Sequence, residues 1–305
     1  MTSPVQLLAE AAAHWDRHGY AVLPALFSED DLRPGVSELG LLYPTAEQFH
    51  EDADPGRNAP YEGDEYGGLV TFPFASVELC LLAVHPRVVE LARVLLRTED
   101  VRIYSAEAWA KFTGAASYEQ VHHRDFMNHT VVVPSDDTAH RNLELFVWLQ
   151  EVTEALGPTH VVPAEDAVGV PLLPHEVLRA EHPGPYASEV SAAGPAGTVL
   201  AYRGDTVHRA TDLTAPGGAR YTLHCSFRPA ADEWVGRQGW GDRSFDPGWD
   251  PFVRRASVDQ LGLFGFPAPG HPFWTPHTLE RLAVRYPGLD IGPWTVGCRH
   301  DGEDA

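Results

Sequence analysis

The stretch that decides the fold is Gly197-Thr-Val-Leu-Ala-Tyr-Arg-Gly-Asp-Thr-Val-His208. It predicts two short strands, residues 197–202 and 206–210, on either side of the turn Arg203-Gly-Asp205. A further strand, residues 220–227, follows the turn Pro216-Gly-Gly218. Short strands with Gly, Pro and Asp turns between them are typical of a β-sandwich or a barrel.

The rest of the chain predicts helices first and strands afterwards. Apolar spacing indicates helices at residues 5–18 and 77–96, and Ser28 offers an N-cap for another. Residues 51–68, rich in Asp, Gly, Pro and Tyr, predict a loop. Further strands are expected at residues 20–23, 101–104, 107–112, 143–149, 160–163 and in the β-branched run 130–134, and a last helix at residues 276–286.

This order of elements favours an α+β, mainly β fold. No low-complexity linker and no internal repeat divides the chain, so we expect one domain over residues 1–305. Its parts are a helical N-terminal support in residues 1–99, a core at about residues 100–230, and a C-terminal extension in residues 231–305.

The composition limits the classes of partner. With 44% hydrophobic and 10% aromatic residues, the chain has the material for a substantial core. Its formal net charge of −21 disfavours nucleic acid and anionic membrane surfaces, because both select a basic surface. The expected partner is a small-molecule substrate, and the expected assembly is a monomer or a homodimer.

The cysteines and the N-terminal sequence indicate the compartment. Cys80, Cys225 and Cys298 are odd in number and widely spaced, which predicts no disulfide framework. No N-terminal run resembles a secretion signal, and none reaches the roughly 18 apolar residues of a membrane span. We therefore expect a cytoplasmic protein that is not bound to a membrane.

A candidate metal site lies in His123-Arg-Asp125 and His208. Alternate residues of an extended segment point to one side, so His123 and Asp125 can reach one metal ion. His122 would point to the opposite side, and the spacing to Asp125 selects His123. With His208 on a late strand, the set matches the 2-His-1-carboxylate triad of non-haem iron oxygenases. In a chain with 16 histidines, the His-x-Asp pair alone is a weak signal.

Arg220 strengthens this interpretation because it follows His208 by twelve residues. In Arg220-Tyr-Thr222, the arginine and the threonine share one face of a predicted strand. A guanidinium binds a carboxylate through two parallel hydrogen bonds, which suits a dicarboxylate co-substrate beside the iron. His224 lies on the same face, either lining the pocket or held in the core. Loop or surface positions are expected for His129, His140, His160, His175 and His182.

With these residues in place, the chain resembles the phytanoyl-CoA dioxygenase family of Fe(II)/2-oxoglutarate oxygenases over most of residues 5–230. The segments that carry the resemblance are residues 19–31, Lys111 ahead of the metal motif, His123-Arg-Asp125, Phe146-Val-Trp-Leu149, residues 156–163, residues 197–208 and Arg220. The resemblance implies a double-stranded β-helix, a cupin-like jelly roll with flanking N-terminal helices.

The resemblance also implies a set of cofactors and roles. Fe(II) would bind His123, Asp125 and His208, with 2-oxoglutarate and O2 as co-substrates. Arg220 would hold the far carboxylate of 2-oxoglutarate, with Thr222 assisting. Trp148 matches a family position beside the co-substrate, although a core aromatic residue is an equally good interpretation. The side chain of Lys111 could face either the pocket or the solvent.

The implied reaction is oxidation of a C–H bond, with hydroxylation expected and succinate and CO2 released. Desaturation, cyclisation and epimerisation remain alternatives, as do a non-catalytic jelly-roll binding protein and a cupin-like isomerase or hydrolase. Asp125 disfavours halogenation, because related halogenases have a small residue there. Ala164-Glu-Asp166 replaces the family's usual Gly-Ser-His, so the substrate is not carried over. The aromatic tail would cover the cleft, pack on the barrel or form a dimer contact; its members are Trp234, Trp240, Phe264, Phe266, Phe273 and Trp274.

Overall fold

Two antiparallel sheets face each other across one cavity in the computed structural model, which describes residues 4–24, 26–135, 137–233 and 238–296. The strands are β1 (Tyr20–Leu23), β2 (Leu69–Thr71), β3 (Val101–Phe112), β4 (Leu143–Trp148), β5 (His160–Val161), β6 (Val190–Ser191), β7 (Val199–Tyr202), β8 (His208–Arg209) and β9 (Ala219–Pro229). The larger sheet has the order β1-β7-β4-β9-β3-β2, and the smaller sheet has the order β6-β5-β8. This is the predicted jelly-roll arrangement.

Helices cover the outside of the larger sheet and fill the C-terminal part of the chain. They are α1 (Pro4–His18), α2 (Glu29–Ser37), α3 (Ala46–His50), α4 (Pro55–Asn58), α5 (Val77–Ala83), α6 (Pro86–Leu96), α7 (Phe126–His129), α8 (Pro183–Ser188), α9 (Trp240–Arg243), α10 (Trp249–Arg255), α11 (Val258–Gly262), α12 (Pro276–Arg285) and α13 (Gly292–Thr295). In the described part of the chain, no helix has the length and apolarity needed to cross a bilayer.

The two long strands β3 and β9 separate a core face from a cavity face. On β3, Ala106, Ala108 and Ala110 belong to the main hydrophobic core, whereas Glu107, Trp109 and Lys111 line the cavity. On β9, the core residues are Leu223, Cys225 and Phe227, and the cavity residues are Arg220, Thr222 and His224. Since successive side chains of a strand point to opposite faces, each strand carries packing on one side and chemistry on the other.

Several predicted elements differ from the observed ones. The single helix predicted at residues 77–96 is wrong: it is two helices, because Pro86 begins α6 and the His85 side chain caps its first turn. The two strands predicted at residues 101–112 are one strand with an irregularity between Ile103 and Ser105. The strand predicted at residues 130–134 is absent, and Val131 is 87% exposed there. Strands β2 and β6 were not predicted, and the loop at residues 51–68 contains α4.

The aromatic tail packs around Phe72, behind the larger sheet. The rings of Trp240, Phe252 and Phe264 lie with their centroids 5.6, 5.1 and 5.2 Å from the centroid of Phe72. Trp274 is also buried in the main core, whereas Phe273 is half exposed. Trp234 and Cys298 lie outside the described residues. The described tail therefore extends the core that begins with α1.

Candidate metal centre and co-substrate pocket

His123, Asp125 and His208 come together at the edge of the smaller sheet. Their potential ligand atoms all lie within 4.8 Å of one another. His208 begins β8, and His123 pairs with it through two backbone hydrogen bonds, of 2.9 Å from the His123 N–H and 3.0 Å from the His208 N–H. Asp125 follows two residues later, immediately before α7. The structure thus places the three predicted ligands on one short antiparallel bridge and the turn after it.

Both histidines present the same ring nitrogen to the site. Nδ1 of His123 lies 3.0 Å from the carbonyl oxygen of Val121, and Nδ1 of His208 lies 3.0 Å from that of Thr206. A carbonyl oxygen only accepts hydrogen bonds, so each Nδ1 carries a proton and each Nε2 is the ring nitrogen turned towards Asp125. These Nε2 atoms lie 3.6 and 3.2 Å from the Asp125 carboxylate oxygens. A metal-binding histidine typically has this arrangement.

The carboxylate of Asp125 is oriented from the larger sheet. The Tyr202 hydroxyl, at the end of β7, donates a 3.0 Å hydrogen bond to its Oδ2 atom. Burial alone would raise the pKa of Asp125, but His208 and His123 hold it well below its usual range. The site therefore offers two imidazole nitrogens and one ionised carboxylate. This donor set fits Fe(II) and leaves coordination positions open for other ligands.

The residues on either side of His123 in the sequence, His122 and Arg124, point away from the candidate metal site. His122 is fully buried, and its ring packs against Tyr186 with a centroid distance of 3.9 Å. Arg124 donates hydrogen bonds of 3.1 and 2.7 Å to the carbonyl oxygens of Asp205 and Pro171. His122 and Arg124 thus anchor the back of the motif to neighbouring loops, while its front faces the cavity.

The cavity next to the three candidate ligands has a volume of about 620 Å³. Two cations lie in its wall: Lys111 on β3 stands directly opposite Arg220 on β9 in the sheet register. Both are buried, and burial followed by the neighbouring Arg220 lowers the pKa of Lys111 to about 7. Within the described residues, Nε and Nη1 of Arg220 have no hydrogen-bond partner. Since a buried guanidinium without partners is costly, the pocket is built for an anion.

Thr222 and Trp148 complete this wall. Thr222 is paired across the sheet with Trp148 on β4 and with Trp109 on β3, and all three residues line the cavity. The indole N–H of Trp148 donates a 2.7 Å hydrogen bond to the carbonyl of Ala192. Its polar atom is therefore used by the scaffold, and Trp148 offers the cavity an apolar surface. Arg220, Thr222 and Trp148 thus share one pocket with the candidate ligands.

Below the cavity lies a buried cluster of Glu144, His129 and His224. Of these three residues, the sequence pointed only to His224. Glu144 on β4 is fully buried and accepts hydrogen bonds from Asn142, Tyr104 and Ser226. His129, expected at the surface, is 2% exposed and lies 3.3 Å from Glu144. A glutamate inside the apolar run Leu143-Glu-Leu-Phe was the available signal, because a charge there requires buried partners.

His224 is the member of this cluster that lines the cavity. Its ring nitrogens lie 3.7 Å from Glu107 and 3.2 Å from Glu144, and its ring stacks on Phe146. Burial would lower its pKa, but the two carboxylates outweigh burial and raise the pKa to about 9. The cavity floor therefore carries an imidazolium at neutral pH. The sequence left open whether His224 lines the pocket or is held in the core, and the structure shows that it lines the pocket.

The fold is similar to that of several solved structures, among them α-ketoglutarate-dependent enzymes. The carbocyclase SnoK of nogalamycin biosynthesis aligns with a TM-score of 0.57 at 18% identity, covering 81% of this chain and 94% of its own. The epimerase SnoN, in complex with Fe3+, α-ketoglutarate and nogalamycin RO, aligns at 0.54 with 20% identity over 75% and 85% of the two chains. EctD from S. alaskensis, with 2-oxoglutarate and 5-hydroxyectoine, aligns at 0.54 with 22% identity over 73% and 77%.

These alignments define the class of fold, which is a jelly roll. The sequence then identifies the family: residues 15–220 match the phytanoyl-CoA dioxygenase (PhyH) family, and the chain belongs to it. No curated protein matches the sequence significantly. The protein is therefore a non-haem oxygenase that depends on iron, 2-oxoglutarate and O2, as expected from the motifs.

Proposed function

We propose that this enzyme hydroxylates a C–H bond of a small molecule, with its iron held by His123, Asp125 and His208. The distal carboxylate of 2-oxoglutarate would lie between Lys111 and Arg220. One observation carries the proposal: two buried cations, Lys111 and an Arg220 whose Nε and Nη1 have no hydrogen-bond partner among the described residues, share a cavity with a two-histidine, one-carboxylate set. A metal site and a dicarboxylate site at one cavity are the two parts that this chemistry requires.

Iron, when bound with 2-oxoglutarate and O2, supplies the oxidising power for C–H cleavage as 2-oxoglutarate is converted to succinate and CO2. The protein's part is positioning. The Val121 and Thr206 carbonyls hold the Nδ1 protons of the two histidines, which directs each Nε2 to the site. The Tyr202 hydroxyl fixes the orientation of Asp125.

Arg220 provides the orientation of the co-substrate. Its guanidinium presents two donors in one plane, which match a carboxylate, and Lys111 adds a second positive charge from the opposite strand. Thr222 lies two residues along the same face and offers a hydroxyl donor. Trp148 and Phe146 contribute stacked aromatic surface, which excludes water from this part of the cavity.

The substrate would occupy the part of the cavity nearer the solvent. The lining there includes Tyr66, Trp109, Asn128 and His175, a mixture of aromatic and hydrogen-bonding side chains. A volume of about 620 Å³ accommodates a small metabolite together with 2-oxoglutarate. Asp125 occupies the position of the carboxylate ligand, which favours hydroxylation over halogenation. Desaturation, cyclisation or epimerisation would use the same centre and would be recognised from the product.

The test is spectroscopic and needs no substrate. Anaerobic addition of Fe(II) and 2-oxoglutarate to the protein should produce a weak visible metal-to-ligand charge-transfer band. The band should be lost in Asp125→Ala, and in Arg220→Ala it should require much more 2-oxoglutarate. A wild-type protein without the band, or an Asp125→Ala protein with the full band, would contradict the proposed ligands. Screening metabolites for stimulated succinate release then identifies the substrate, and mass spectrometry of the product identifies the outcome.

A further inference from the structure

The residues next to the two candidate histidine ligands meet at one carboxylate. His122 precedes His123, Arg209 follows His208, and both side chains are buried on the side away from the cavity. Glu189, which follows α8, contacts both of them. The carboxylate thus lies behind the bridge that carries the histidines, and it is not used by the proposed chemistry.

The contacts with Glu189 are close and partly bidentate. Nε and Nη2 of Arg209 donate hydrogen bonds of 2.7 and 2.8 Å to the two carboxylate oxygens. Nδ1 of His160 lies 3.1 Å from one oxygen. Nε2 of His122 lies 2.8 Å from the other oxygen. Arg209 also binds Glu119, on the side nearer the solvent.

Glu189 carries a full negative charge in this setting. Its side chain is 13% exposed, and burial by itself would raise its pKa. Hydrogen bonds from Arg209 and His160 outweigh burial and lower the pKa to about 2. Removing this charge would leave the Arg209 guanidinium, 8% exposed, without its main partner, and losses of this kind are among the larger ones for polar groups.

The backbone alone holds this region weakly. Strands β5, β6 and β8 have two residues each, and His122 and His123 form only isolated bridges. Tyr186, three residues before Glu189, supports the same place. Its hydroxyl accepts a 3.0 Å hydrogen bond from the His122 N–H and donates a 2.9 Å bond to the Val177 carbonyl. The segment that ends at Glu189 therefore braces both histidine-bearing strands from behind.

We propose that Glu189 is a positioning residue for the iron centre. It fixes Arg209 and contacts His122, and through the backbone it holds His208 and His123 at the separation that a metal ion requires. This inference rests on the proposed ligand set. Side chains that orient metal ligands typically change metal affinity by about 10–100-fold when removed. Because Glu189 acts through the neighbours of the ligands, we expect about a tenfold loss, at the lower end of that range.

The experiment is a titration of the metal-free full chain with Co2+, followed by the visible absorption of the bound ion. The variants are Glu189→Gln, which keeps the shape of the side chain, and His208→Ala. The control is Glu78→Gln, since Glu78 is a partly buried glutamate, 24% exposed, that pairs with Arg255 at 2.6 Å and lies on α5, away from the cavity. Thermal unfolding of each metal-free variant measures stability separately.

For Glu189→Gln, the Kd for Co2+ should rise about tenfold and the Co2+ spectrum at saturation should change, because the two nitrogens are no longer held at one separation. Glu78→Gln should lower the melting temperature without changing the Kd. A Glu189→Gln protein whose Kd stays within twofold of the wild type overturns the proposal. If His208→Ala binds Co2+ like the wild type, the ligand set itself is wrong, and the proposal is overturned with it.

If Glu189→Gln does not fold, a second variant tests whether Glu189 positions the candidate metal ligands. Arg209→Lys keeps the positive charge opposite Glu189 but loses the two-pronged contact. A severalfold rise in its Kd for Co2+, with an unfolding temperature near that of Glu78→Gln, supports the positioning role. A Kd within twofold of the wild type overturns it.

Discussion

The two sheets of this enzyme hold their functional residues in different ways. In the larger sheet, β3 and β9 have 12 and 11 residues and are paired along almost their whole length. Lys111 and Arg220 stand on this continuous ladder. In the smaller sheet each strand has two residues, and side chains around Glu189 supply much of the connection. The proposed co-substrate pocket is therefore held mainly by backbone pairing, and the proposed metal centre is held in large part by side-chain contacts.

Replacing Arg220 by methionine gives the largest expected effect on the larger sheet. Methionine keeps much of the volume but removes the bidentate partner of the co-substrate carboxylate. The loss of a buried charged hydrogen-bond partner costs about 2–4 kcal/mol, so the KM for 2-oxoglutarate should rise about 30- to 900-fold. Steady-state kinetics measures the KM, and Co2+ titration of the metal-free protein should show an unchanged Kd. A variant that loses metal affinity as well would show that the two sheets are not independent.

Hydrogen exchange compares the two sheets directly. Amides inside β4 and β9 should exchange at least about 100-fold more slowly than the amides of His123 and His208, because a short bridge opens locally more easily than a long ladder. Adding Co2+ should slow exchange at His123 and His208, while β4 and β9 remain unchanged. Mass spectrometry of the exchanged peptides measures both the difference in exchange rate between the sheets and the change caused by Co2+. Equal protection of the two sheets before metal is added would contradict the distinction.

Tyr202 connects the sheets, since it stands on β7 of the larger sheet and donates to Asp125. Tyr202→Phe removes only the hydroxyl; the ring keeps its stacking on Phe146 and its contact with the His208 ring. Metal affinity should fall about tenfold, as expected when an orienting hydrogen bond is lost. Co2+ titration measures the loss, and an unchanged KM for 2-oxoglutarate is the control. An unchanged Kd would mean that Asp125 is oriented without this bond.

The charge state of Lys111 should give the KM for 2-oxoglutarate a smaller dependence, on pH. Its pKa is lowered to about 7 by burial and by Arg220, so the side chain is charged below this pH and neutral above it in the enzyme without co-substrate. Only the charged form attracts a carboxylate, so the KM for 2-oxoglutarate should rise about fivefold from pH 7 to pH 8. Lys111→Arg stays charged and should show no such rise. The same slope in Lys111→Met would exclude Lys111 as its origin.

Most strands of the larger sheet were predictable from the sequence, because they are apolar runs or alternate between polar and apolar residues, whereas the three-residue β2 was missed. Residues 143–149 are an almost wholly apolar run, residues 220–227 have polar residues at every second position, and both segments are strands. The helix at 5–18 followed from its apolar spacing for the same reason. Two predicted elements, the helix at residues 77–96 and the strand at residues 130–134, differ from the structure. Pro86 divided the predicted helix 77–96, and the valines at 131–133 lie exposed, outside every strand of the described residues.

The site was predictable only where residue type and spacing carry the chemistry. His-x-Asp, a distal histidine and a following arginine are local patterns, so His123, Asp125, His208 and Arg220 could be selected. Tyr202 and Glu189 could not, because each meets its partner across a long separation in sequence. Tyr202 lies 77 residues from Asp125, and Glu189 lies 20 residues before Arg209. Such contacts depend on how the sheets are placed, which no local pattern records.

The alanines on the outer face of β3 have a consequence for the cavity. Ala106, Ala108 and Ala110 are small, and they allow the helical layer to lie close against the strand. A larger side chain there would push β3 away from the helices and carry Lys111 with it, since both faces belong to one backbone. The spacing of the two cations is thus set partly by the thickness of the packing behind them. Substitutions outside the cavity can therefore tune co-substrate affinity without touching a residue that lines it.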